Sequence, residues 1–176
     1  YDTWDFICQH YRSKEPLNER AVQIFILEQF FKYKLTTNHS PVVAFGVHSG
    51  DPHYEVPEDG GKVAEEGDII QLDMWAKERL ADDGQGGVSA TVPAYADISW
   101  VGIYDSKIPE KVEKCFECLK SARDIVISSI NEKQQDSFQP NEDFNITGSF
   151  LDKKVRDILI NNGYEAGIKH RTGHSI

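Results

Sequence analysis

Positive charge and cysteine are both scarce in this chain of 176 residues. Lys and Arg number 19 against 29 Asp and Glu, a formal net charge of −10. Such a surface repels phosphate backbones and anionic lipid, which argues against nucleic acid and membrane as partners and favours cations and small peptides. The three cysteines, Cys8, Cys115 and Cys118, cannot build a complete disulfide framework and agree with a reducing compartment. No apolar run approaches the length that spans a bilayer, and the opening YDTWDFICQHYRSKE lacks the basic, apolar, small-residue order of a secretory signal. A cytoplasmic location is the expectation. Internal repeats are absent, and the only biased piece is LADDGQGGVSA at 80–90, which reads as a loop.

What is present suits a packed fold. With 39% hydrophobic and 27% charged residues the chain is too apolar for disorder, and its length serves one domain over 1–176. Pro16 to Leu35 carries apolar residues at Leu17, Ala21, Ile24, Phe25, Leu27, Phe30 and Phe31, an amphipathic helix with proline in its first turn. Pro41 to Phe45 reads as a short buried strand closed by Gly46. DIIQLDMWA at 68–76 and YADISWVGIY at 95–104 both alternate, so they are expected to pair as an antiparallel hairpin with the glycine-rich piece at its tip. Helical spacing returns from Pro109 to Ile130, and a third helix is expected from Ser149, with Val155 and Leu159 on one face and Gly163 as a left-handed stop.

Asp73 and Asp97 sit inside apolar strand patterns, where an unpaired carboxylate is costly to desolvate. One such aspartate is ordinarily turned to solvent or hydrogen-bonded to backbone. Two on paired strands repel each other unless a cation or a proton lies between them, and a metal resolves the conflict. His170 and His174 stand four apart in HRTGHSI, but Thr172 and Gly173 oppose a helix there, so the rings need not share an ion: one can ligate while the other handles protons or substrate. His53 follows the first strand in a loop marked by Gly46, Gly50 and Pro52; a loop histidine by itself is ordinarily solvated, and His39 and His48 have no stronger case. CFEC at Cys115 to Cys118 has zinc-like spacing but lies in a helical repeat with no second pair, and reads as two helix residues.

Read in order, PVVAFGVHSGDPHY, EEGDIIQLDMWA, YADISWVGIY and HRTGHSI resemble the successive signature segments of the creatinase-like, or pita-bread, metallopeptidases of family M24, nearest to aminopeptidase P and prolidase. The likeness runs from about Pro16 onward and includes the helix KVEKCFECLKSARDIVI and the segment FLDKKVRDILINNGY. It implies an α+β fold, an antiparallel sheet with helices packed on the outside. It implies two divalent ions, with Asp73 on one, Asp97 bridging both or sharing that duty, and His174 as the histidine ligand. An oxygen-rich set suits Mn²⁺ first, with Co²⁺ or Zn²⁺ as alternatives. By the same likeness His53 contacts substrate and steadies the oxyanion, while His170 touches substrate and helps to move the proton. The implied reaction is hydrolysis of Xaa-Pro bonds at peptide N termini, the proline preference resting on the PHY and HRTGH elements; a homodimer is compatible with this family.

Two departures accompany the likeness. Residues 77–93, KERLADDGQGGVSATVP, form an insertion between the aspartates, and the chain is expected to stop short of two further glutamate ligands, a role that Glu65, Glu66 and Glu78 are in the wrong order to fill. A rival reading is therefore a catalytically inactive pita-bread module that binds peptides or protein partners. A third, a metal-free creatinase-type site, is disfavoured by the intact aspartates.

Overall fold

The structure is a computed structural model that describes residues 1–79, 93–136 and 146–173, with side chains to 132 in the long helix that ends at Asp136. It comprises two compact units, Tyr1–Ser106 and Lys107–Ile176.

In the first unit, helix α1 (Asp2–Ser13) precedes the expected helix and was not among the expected elements. Asp2 and Asp5 in its first turn and Arg12 in its last complement the helix dipole. Helix α2 spans Glu19–Lys32, so it starts later than Pro16 would place it. The reason is local: the Asn18 side chain accepts from the Ala21 N–H at 2.8 Å and caps the helix. Leu17 before that cap and Val22 one turn inside are both buried in one core, the pairing of a hydrophobic staple. The buried stripe of α2 is Glu19, Val22, Gln23 and Ile26, at helical spacing. Ile24 and Phe31, counted among its apolar positions, are instead 46% and 74% exposed.

Strands β1 (Leu35–Thr36), β2 (Val42–Phe45), β3 (Ile69–Glu78) and β4 (Ala96–Ile103) form one antiparallel sheet. β3 is its centre. β2 runs along it from Val42↔Asp73 to Phe45↔Ile70, and β4 from Ile69↔Ile103 to Ala76↔Ala96. β3 outlasts its expected end at Ala76 because Lys77 and Glu78 pair with Thr36 and Leu35. The expected hairpin is present as a pairing; its tip, LADDGQGGVSA, and most of the 77–93 insertion lie outside the described residues.

One face of β3 turns Ile70, Leu72 and Ala76 inward. Ile70 and Leu72 pack with Ile7 of α1, Val22 and Ile26 of α2, and Val43 and Phe45 of β2, the core of this unit. Burying each such side chain contributes about 1.5–3 kcal/mol, so this face fixes which residues remain on the other. That other face carries Gln71, Asp73, Trp75 and Lys77, each only partly buried.

The second unit contains α3 (Glu110–Asp136) and α4 (Gly148–Asn161). α4 begins before Ser149 because Thr147 Oγ1 accepts from the Phe150 N–H at 3.2 Å. Its end is the expected left-handed stop: Gly163 has φ +81°, and the N–H groups of Gly163 and Tyr164 donate to the carbonyls of Ile160 and Leu159, a Schellman closure. Lys154 Nζ on α4 donates to Ser129 Oγ on α3 at 2.9 Å. Cys115 and Cys118 lie on α3, the helix expected to carry them. Among the described residues no helix is long and apolar enough to cross a membrane.

Candidate metal-binding face and its surroundings

Strand register decides where the two aspartates sit. Asp73 pairs with Ser99, and Asp97 pairs with Trp75, so the carboxylates share one face of β3 and β4, offset by two positions. Diagonal neighbours of this kind lie about 7–8 Å apart, their Cβ atoms somewhat closer, within the span that two carboxylates can close around a cation. Ser99 Oγ donates to Asp73 Oδ1 at 2.6 Å. The hydroxyl thus orients the carboxylate and occupies one of its oxygens. Asp73 is half-buried and Asp97 is exposed on the same face. Beside them Trp75 is held flat: its indole N–H donates to Asn38 Oδ1 at 2.6 Å, and its ring stacks on His39 with centroids 5.8 Å apart. His39 remains exposed, as a loop histidine is expected to be, with one face of its ring against Trp75.

The donor chemistry of this face suits a hard divalent cation, since a carboxylate pair supplies anionic oxygen. The third expected ligand, His174, lies outside the described residues. Among the described residues no group of three or more His, Cys, Asp or Glu could hold a metal ion.

His53 lies in the first unit on an exposed turn, Asp51 to Tyr54. Asp51 Oδ1 accepts from the His53 N–H at 2.9 Å, and the Asp51 carbonyl accepts from the Tyr54 N–H at 3.3 Å. These bonds fix the backbone and leave the imidazole pointing to solvent. His170 lies in the second unit. Its Nδ1 is 2.8 Å from the Arg171 carbonyl, which can only accept, so Nδ1 carries the proton and Nε2 remains for other work.

The segment that carries His170 is tied to α4. Asp152 accepts from Arg156 Nε at 2.6 Å and from the N–H and hydroxyl of Thr172 at 2.8 and 2.9 Å, and Arg156 Nη2 reaches the His170 carbonyl at 3.3 Å. The bonds from Arg156 and Thr172 hold the Asp152 carboxyl down at about 2.

Sequence reasoning passed over Glu19, whose side chain is wholly buried. Oε1 accepts from the Phe45 N–H at 2.7 Å and meets His48 Nδ1 at 2.8 Å; Oε2 accepts from the Tyr54 hydroxyl at 2.7 Å and the Lys62 N–H at 2.8 Å. Four donors answer the four lone-pair positions of one carboxylate, the arrangement that makes a buried charge tolerable. Burial, then the bond to Glu19, push the Tyr54 phenol well above its ordinary range. Gly61, at φ +67°, lets the backbone close on Glu19: a Cβ there would collide with Oε2. The available signal was periodicity, because Glu19 falls on the stripe of Val22, Gln23 and Ile26. His48, read as a solvated loop residue, is a partner in this cluster.

A model of metallopeptidase family M24 matches residues 7–176. Among solved structures the chain is similar to dipeptidase PepE from Mycobacterium ulcerans (19% identity, TM-score 0.66), covering 98% of this chain and 40% of that one. It is similar also to X-prolyl aminopeptidase from Caenorhabditis elegans, a cytosolic enzyme with a di-nuclear active site (20% identity, TM-score 0.62), covering 92% of this chain and 23% of that one. Icp55 from Saccharomyces cerevisiae is similar at 19% identity and TM-score 0.59, covering 90% of this chain and 37% of that one. The chain thus spans less than half the length of these three. Comparison with the curated proteins gives no match.

Proposed function

The chain belongs to metallopeptidase family M24 and carries part of the α+β pita-bread fold; from that premise we propose that the whole protein hydrolyses Xaa-Pro bonds at peptide N termini, using a water activated by two divalent metal ions. The observation that carries this reading is the shared face of Asp73 and Asp97 on adjoining strands, with Ser99 bracing the first. A pair of divalent cations, when bound, lowers the pKa of a water and polarises the scissile carbonyl. Asp73 and Asp97 would hold them from this chain, with His174 as the histidine donor, and Mn²⁺ is the ion that an oxygen-rich set suits first.

The chain's own residues then divide the work. Ser99 keeps the Asp73 carboxylate in one orientation, so that no reorganisation is needed when a cation arrives. His53, exposed on its turn, contacts the substrate and donates to the developing oxyanion. His170, with Nδ1 committed to the Arg171 carbonyl, offers Nε2 to carry a proton toward the leaving amine. A cytoplasmic location and a homodimer belong to this reading; the net charge of −10 supports small peptides as partners in place of nucleic acid or membrane.

The test is hydrolysis of an Xaa-Pro dipeptide and a longer Xaa-Pro peptide by the full-length protein with added Mn²⁺. Cleavage of either, abolished by chelation, is expected. Failure on both with metal bound removes the proline assignment, and failure with no metal taken up favours a peptide-binding module instead.

A further inference from the structure

We infer that Glu19 is the positioning residue for His53: the buried carboxylate closes the base of the loop whose tip presents that histidine. The inference rests on the reading above, in which His53 contacts substrate.

The loop leaves β2 at Phe45, passes through the 3-10 turn Gly46–Gly50 and reaches the turn Asp51 to Tyr54. His53 occupies the tip of that second turn, and two residues bracket it. On the near side the His48 carbonyl accepts from the Asp51 N–H at 3.0 Å, and the His48 ring meets Glu19 Oε1. On the far side the Tyr54 hydroxyl donates to Glu19 Oε2. The two rings stack on each other with centroids 4.3 Å apart and planes 23° from parallel. The loop is thus clamped at both feet by the two oxygens of one carboxylate. That carboxylate is rooted in the first turn of α2 and locked by the Phe45 and Lys62 N–H groups.

Among the described residues the His53 ring has no hydrogen-bond partner to hold it, so its placement comes from the backbone beneath it. Without the clamp the turn gains freedom that it must lose on every turnover, and small misplacements of a reacting group are costly. Glu19 touches no reacting atom in this scheme and acts through Tyr54 and His48.

Three variants of the full-length, Mn²⁺-loaded protein test this: Tyr54→Phe, His53→Ala and the double variant. Tyr54→Phe keeps the ring stack and deletes one foot of the clamp. It is expected to lower kcat on an Xaa-Pro peptide about tenfold with KM nearly unchanged. In the His53→Ala background the same substitution is expected to cost less than about twofold, because a residue that acts only through His53 has nothing left to act upon. A tenfold loss that persists in full in that background overturns the inference, as does an unimpaired Tyr54→Phe. Backbone hydrogen exchange, measured without substrate, separates the two levels. Exchange over 51–54 is expected to speed up in Tyr54→Phe while α2 stays protected, and unchanged exchange overturns the positioning role whatever the kinetics. If His53→Ala alone keeps full kcat, it is the reading of His53 as a substrate contact that falls, and the exchange result then decides the clamp by itself.

Discussion

Replacing Glu19 by glutamine removes one charge and no volume, and it converts an acceptor-only group into one that is half donor. The carboxylate of Glu19 accepts from Phe45 N–H and His48 on one oxygen and from Tyr54 and Lys62 N–H on the other, all at 2.7–2.8 Å. If the amide oxygen takes the Phe45 side, the NH2 group faces the Tyr54 hydroxyl, which can rotate to accept, and the Lys62 N–H, which cannot. If the oxygen takes the Lys62 side, His48 can switch tautomer to accept, but the Phe45 N–H faces a donor. Either way one backbone donor is opposed, and the remaining bonds lose their charge assistance. An orphaned buried donor costs about 1–3 kcal/mol and charged bonds exceed neutral ones, so Glu19→Gln is expected to cost about 2–4 kcal/mol. Glu19→Ala orphans both backbone donors and opens a cavity, for about 3–6 kcal/mol. Against the total stability of a domain, about 5–15 kcal/mol, either is a large loss. Urea unfolding of the full-length protein, followed by tryptophan fluorescence, measures both. An unfolding free energy for Glu19→Gln within about 0.5 kcal/mol of the parent would refute the reasoning, because the opposed backbone donor would then have found another partner.

Further expectations concern the sheet face, the Gly61 turn and the α4 tie. Ser99→Ala should weaken Mn²⁺ binding by the full-length protein about 10–100-fold in a calorimetric titration, and Asp73→Asn should weaken it further; an unaltered affinity in both would detach this face from the metal. Gly61→Ala places a Cβ against Glu19 Oε2 at φ +67° and should destabilise by about 1–3 kcal/mol, read as a lower urea midpoint. The Asp152 carboxyl is held below its usual value of 3.8, so the tie to Thr172 is at full strength above pH 3.8 and is lost as pH falls through about 2. The Thr172 amide shift should report a midpoint near 2, and Arg156→Ala should raise that midpoint toward 3.8.

The elements that could be read in the sequence are those whose pattern is local. β3 and β4 alternate, and their antiparallel pairing follows; α4 was bracketed correctly at its end because Gly163 is a chemical stop. Boundaries were missed where a single side chain outweighs the pattern, as with Asn18 and Thr147, whose caps move helix starts away from Pro16 and Ser149. α1 escaped notice, and the inward stripe of α2 was turned, because packing and not composition selects which apolar residues face the core.

The chain alone determined the order of its motifs and hence its family, the acidic surface, and the presence of two aspartates in paired strands, because these depend on residue identity and spacing. Tertiary structure decided that Asp73 and Asp97 share a face, since a register shift of one residue would have put them on opposite sides of the sheet. It also decided that Glu19 is buried beneath the His53 loop. Its four donors come from segments as far away as Lys62, and only folding brings their hydrogen bonds to one carboxylate.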